Sequence, residues 1–98
     1  MTKETMIVDL FKCIGNPTRY KILKMLCESP LCVNKLNEEV GFSQANISQH
    51  LRLMRNAGIV TCEKNGLNIC YRLANDEIKE LLKSAEQIVE YRLSNIEG

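Results

Sequence analysis

The hydrophobic period of this chain changes at Gly58 from helical to near two, which requires a fold that passes from helix to strand at that point. Ahead of it, Ile47, Leu51 and Met54 recur at the offsets of one buried helical stripe. At about 100° per residue these three lie within roughly 60° of one another. Behind it, IVTCEK and LNICYRL read with a period near two around Asn65 and Gly66, the strongest short hairpin signal. A helix therefore hands over directly to a two-stranded ribbon. Ser43 suits the N-cap of that helix and Gly58 its C-terminal stop. The arc away from the stripe carries Ala45, Ser48, Gln49, Arg52, Arg55 and Asn56. Such side chains exchange hydrogen bonds with base edges in a groove while the arginines reach phosphates, which is what DNA readout by a helix requires.

The remaining segments supply neighbours for this unit. Met6, Ile7, Leu10, Phe11 and Ile14 predict a short amphipathic helix ending at Gly15. Asn16 then caps a second helix with Pro17 at its first position, where a missing N–H costs nothing, and with Ile22, Leu23 and Leu26 facing inward. Ser29 and Pro30 break it. A third helix is expected from about Cys32 to Val40, with Gly41 as its stop. Asn75, Asp76 and Glu77 open a last helix of about 20 residues, roughly 30 Å long, whose stripe runs through Ile78, Leu82, Ala85 and Val89.

Helices three and four, joined by Gly41, Phe42 and Ser43, read as a helix-turn-helix, and the ribbon after them as a wing. The expected fold is mainly α with a two-stranded β wing, in the order helix, helix, helix, helix, strand, strand, helix. Residues 1–98 make one domain, and a domain this small leaves much of its surface exposed unless it finds a partner. The last helix is longer than a small core can cover. Dimerisation is therefore expected, with part of the last helix meeting the partner.

Composition narrows the class. Apolar residues make up 45% of the chain, which excludes a disordered protein, and no apolar run approaches the roughly 18 residues of a membrane span. MTKETMIVDLFK places an acid at position 4 and lacks the continuous apolar core of a secretory leader, so a cytoplasmic protein is expected. Five cysteines, none in a CxxC pair, and one histidine fit neither a disulfide framework nor a zinc finger, and suit a reducing compartment. Net charge is only +1, but residues 43–73 carry 4 basic groups against 1 acidic, while residues 74–98 carry 3 against 6. The basic third contains the polar-faced helix. No Ser, His and acid set and no glycine-rich phosphate loop is present, so an enzyme is not expected.

These stretches resemble the ArsR/SmtB family of small winged-helix repressors along nearly the whole chain. FKCIGNPTRYKILKML is similar to the family's LFKALGDPTRLRILRLL, SPLCVNKL to ELCVCEL, SQANISQHLRLMRNAGIV to SQSTVSRHLKLLRDAGLV, and EKNGLNICYRL to RREGRWVYYRL. The resemblance implies a homodimer, joined largely through the first helix (about 4–14) and the last (about 76–95), that binds a palindromic operator in double-stranded DNA and represses. It also implies an inducer, often a metal or metalloid ion, that lowers operator affinity. Family correspondence and helical geometry together point to Ser43, Gln44, Ala45, Asn46, Ser48 and Gln49 in the major groove. Arg52, Arg55 and the wing residues Lys64, Asn65 and Asn68 suit phosphates, where they add affinity and salt dependence.

The resemblance thins where an inducer would be sensed. The family's soft-metal site uses a CVC run at the start of the third helix; here Cys32 keeps the first cysteine, Asn34 replaces the second, and Asn37 stands where some members have a third. The alternative zinc site needs an Asp and two His in the last helix, which has no His, so no intact family zinc site is expected. Cys32 nonetheless falls at a helix N-terminus, where the dipole favours a thiolate, and Cys27 lies five residues earlier. A soft metal or metalloid held by cysteine and an oxidant sensed by Cys32 both stay open beside an ordinary cap. In a ribbon turning at Asn65 and Gly66, Cys62 and Cys70 fall on opposite faces, which argues against a bridge between them. Cys13 and His50 read as packing residues. A thiol-based redox regulator and a winged-helix protein-interaction module are the competing functions.

Overall fold

The computed structural model describes residues 1–40 and 44–97, and within these the side chains other than those at positions 37, 39, 40, 44, 45 and 97. The expected stop at Gly41 and cap at Ser43 lie outside the described residues. The first helix, α1 (Lys3–Ile14), opens with a reciprocal cap: Thr5 N–H donates to Thr2 Oγ1 at 3.1 Å and Thr2 N–H donates to Thr5 Oγ1 at 3.0 Å. It ends as expected at Gly15, whose N–H donates to the Phe11 carbonyl at 2.9 Å. Asn16 caps α2 (Pro17–Glu28), its Oδ1 accepting from Thr18 N–H at 3.0 Å and Arg19 N–H at 3.1 Å.

Two residues then form a strand that the sequence did not announce. This strand, β1 (Leu31–Cys32), pairs antiparallel with a wing strand and makes the sheet three-stranded. The third helix, α3 (Val33–Val40), consequently starts one residue later than expected. The polar-faced helix is α4 (Gln44–Asn56), followed by β2 (Val60–Asn65), β3 (Asn68–Leu73) and α5 (Asp76–Glu97). Strand order is β1-β3-β2.

The period change at Gly58 has a definite geometry. Gly58 takes φ +78°, Ile59 N–H donates to the Met54 carbonyl at 3.1 Å, and Gly58 N–H donates to the Arg55 carbonyl at 3.0 Å. This is the Schellman arrangement, and its apolar clasp is Ile59 on Met54, both 0% exposed. The wing turn differs from expectation by one residue. Asn65 pairs with Asn68, so Gly66 and Leu67 form the loop. Gly66 has φ +62° and Leu67 a negative φ, the signature of a type II′ turn with glycine first.

The core is one cluster. Ile22 and Leu23 of α2, Leu36 of α3 and Ile47, Leu51 and Met54 of α4 are all 0% exposed. Tyr71 of β3 and Ile78 and Leu82 of α5 close it from the other side. Each fully buried aliphatic chain contributes about 1.5–3 kcal/mol, and that sum holds α4 with its other face outward. Among the described residues no polar or charged side chain is fully buried.

Candidate nucleic-acid interface

Because α4 spends its apolar stripe on the core, its other residues are left at the surface. Asn46, Ser48, Gln49, Arg52 and Arg55 are exposed, as the helical period requires. The Ser43 residue and the Gln44 and Ala45 side chains lie outside the described set. Lys64, Asn65 and Asn68 are exposed on the wing, with Leu67 completely exposed at its tip. A cleft of about 170 Å³ separates helix from wing and is lined by Ser48 on one side and by Leu67, Asn68 and Ile69 on the other. Arg55 Nη1 donates to Cys62 Sγ at 3.3 Å, tying the end of α4 to β2.

His50 stands at the edge of this face. Its Nδ1 lies 3.2 Å from Arg19 Nη1, and with arginine as the obligate donor it accepts as the neutral ring. Burial, and then the Arg19 charge, hold its pKa below the ordinary histidine value. Arg19 Nε also donates to the Cys13 carbonyl at 2.6 Å. His50 thus joins α4 to α2, a longer-range tie than the packing role expected of it.

The cysteines form a pairing that the sequence reading did not foresee. Cys32 and Cys70 are cross-strand partners in β1 and β3 and are joined by a disulfide. The expectation of a free Cys32 thiolate assisted by Cys27 is corrected accordingly, as is that of a wholly reduced set. β1 carries Cys32 onto the sheet edge, where its partner is Cys70. Cys27 faces a different region, near Lys24, Lys79 and Glu86, and burial raises its pKa against those two lysines. Cys62 is exposed and free, and Cys62 and Cys70 do lie on opposite faces, since Cys62 pairs with Tyr71 and Cys70 with Glu63. Cys13 is buried, which raises its pKa.

A soft-metal site does not fit these residues. Cys32 is spent in the disulfide, Asn34 offers no thiolate, and no group of three His, Cys, Asp or Glu able to hold a metal exists among the described residues. None of the described helices is long and apolar enough to cross a membrane.

A helix-turn-helix with its second helix exposed, backed by a three-stranded sheet whose hairpin projects beside it, defines the winged helix-turn-helix class. The model of the bacterial regulatory protein arsR family matches residues 16–61, from the cap of α2 into β2. The transcriptional regulator MJ1325 of Methanocaldococcus jannaschii is 37% identical over 89 residues, 90% of this chain and 100% of that protein. The crystal structure of Mycobacterium tuberculosis Rv0081 superposes with a TM-score of 0.92 at 30% identity, covering 100% of this chain and 99% of that one. The transcriptional repressor SmtB of M. tuberculosis is 34% identical over 77 residues, 79% of this chain and 57% of its own length. The chain belongs to the arsR family and is a helix-turn-helix transcriptional regulator.

Proposed function

We propose that this chain is a homodimeric repressor that reads a palindromic operator and releases it in response to a thiol-directed signal. The observation that carries the reading is α4: a helix whose apolar stripe is wholly buried and whose exposed face holds Asn46, Ser48, Gln49, Arg52 and Arg55. In the major groove Gln49 or Asn46 bonds an adenine edge, and the arginines with Lys64 take phosphates. Ser43, Gln44 and Ala45 would enter the groove first. Repression follows the sign carried by the SmtB relative's name.

The second copy is supported by apolar surface left uncovered on the terminal helices. Phe11 and Met6 of α1 are 56% and 55% exposed, and Ile88, Tyr91 and Ile96 of α5 are 70%, 73% and 68% exposed. Patches of this kind mark association surfaces. A two-fold axis through them presents two copies of α4, setting half-sites about one helical turn apart.

The test is fluorescence anisotropy with a duplex from the region upstream of the chain's own gene and with a scrambled duplex, across a salt series. Specific binding with a steep salt slope, by a species of twice the chain mass in sedimentation, is the expected outcome. Absence of any salt-dependent DNA affinity would refute the reading and favour a protein-interaction module.

A further inference from the structure

The disulfide lies in a place where it controls geometry. Its two cysteines belong to the two parts that would meet DNA: Cys32 immediately precedes α3, the first helix of the helix-turn-helix, and Cys70 lies on β3 of the wing. At the sheet edge beside α3 the backbone pairing is short, whereas α4 runs through Gly58 into β2 and is tied to it by Arg55 and Cys62. β1 is two residues long and pairs with β3 only through Leu31 with Tyr71 and Cys32 with Cys70. Both cysteines are half-buried, and surface clefts open on either side, one lined by Cys32 and the other by Cys70. A small reductant therefore has access.

From this placement we propose that Cys32–Cys70 is a redox-active site that takes a dithiol reductant and sets operator affinity, the disulfide form being the one that holds DNA. The proposal rests on the DNA-binding reading above. A reductant thiolate attacks Cys70 Sγ, and the Cys32–Cys70 bond breaks. Cys32 leaves as a thiolate at the N-terminal end of α3, where the helix dipole favours the negative charge. The reductant's second thiol then attacks the mixed disulfide and releases Cys70. Two electrons and two protons pass from the dithiol, which ends as its own disulfide, and Cys32 and Cys70 end as thiols.

Opening the bond leaves β1 held by two residue pairs alone, so the start of α3 loosens from the wing while α4 stays joined to β2. Holding α3, α4 and the wing on one duplex then requires reordering that edge, and affinity falls. The six residue pairs of β2 and β3 keep the hairpin itself intact, and the exposed Arg72–Glu63 ion pair at 2.6 Å on the face that carries Cys70 adds little.

The experiment measures duplexes selected from a random library, separately by the oxidised and the dithiol-reduced full-length protein, by anisotropy at graded dithiol/disulfide ratios. Thiols are counted in the same samples. Thiols titrated after unfolding the quenched samples, so that buried Cys13 is counted, should rise from the three free cysteines to all five. Affinity should fall about tenfold along the same curve. Cys70→Ser and Cys32→Ser should stay at the reduced affinity under all conditions, and Cys27→Ser should switch like the parent chain. Equal affinity before and after the thiols appear overturns the proposal, as do five reactive thiols in the oxidised protein. Loss of the helical circular-dichroism signal on reduction overturns it too, because release would then be unfolding. The parent chain alone supplies these outcomes if a serine variant does not fold. Failure of both redox forms to bind DNA with a salt dependence refutes the DNA-binding reading instead.

Discussion

Two amphipathic helices, α4 and α5, solve the same problem in opposite ways. In α4 the stripe of Ile47, Leu51 and Met54 is completely covered by its own chain, and the polar arc is left outside. In α5 only the first turns are covered, through Ile78 and Leu82, and beyond them Ile88, Val89, Leu93 and Ile96 are open. One helix offers hydrogen bonds and positive charge, the other apolar area. On the function proposed above, these two surfaces of contrasting chemistry would serve two kinds of partner, a nucleic acid and a second copy.

The contrast breaks most visibly at its covered side. Leu51→Ala should cost about 2–5 kcal/mol in chemical denaturation, because the cavity lies where α2, α3 and α4 meet. A cost under about 1 kcal/mol would mean that the α4 stripe is not the anchor described. On the open side, Ile88→Glu combined with Val89→Glu should raise the dimer dissociation constant at least about 100-fold in sedimentation equilibrium, by burying two charges without partners. An unchanged mass distribution would move the interface off α5.

The polar arc is sharpened by two substitutions read side by side. Gln49→Ala should lose about 1–3 kcal/mol on the preferred duplex and little on scrambled DNA. Lys64→Ala should weaken both about equally and lower the salt slope by about 1. Identical behaviour of the two variants would erase the division between base reading and phosphate contact. The smallest effect belongs to His50. Its folded pKa lies below the ordinary value, so the unfolded chain binds more protons in the window just under about 6.5 and stability falls as pH drops through it. His50→Gln, which keeps an acceptor for Arg19, should flatten that slope in urea midpoints measured between pH 7.5 and 5.5. An unchanged slope would place the titration elsewhere.

The features legible in the sequence were those with a repeating physical cause. Asn16 and Pro17 announce the start of α2, and the Ile47, Leu51 and Met54 spacing announces α4 and its outward residues. What stayed hidden lacks a period. Leu31 and Cys32 are too few to alternate, so β1 exists only because β3 offers it an edge. The Cys32–Cys70 pair was illegible for the same reason, since nothing in a separation of 38 residues predicts a shared register. Asn65 and Gly66 signalled the hairpin but not its loop, because glycine serves equally well as the first residue of a type II′ turn.

Arg19 closes a short mechanical circuit. Its guanidinium grips the carbonyl of Cys13 near the end of α1 and the ring of His50 within α4. In a pair of protomers joined through α1, the lever from the joint to each reading head therefore contains one planar, forked spacer. On that proposed pairing, the distance from joint to reading helix would be held in part by these two hydrogen bonds, so that less of it is left to be fixed when DNA arrives.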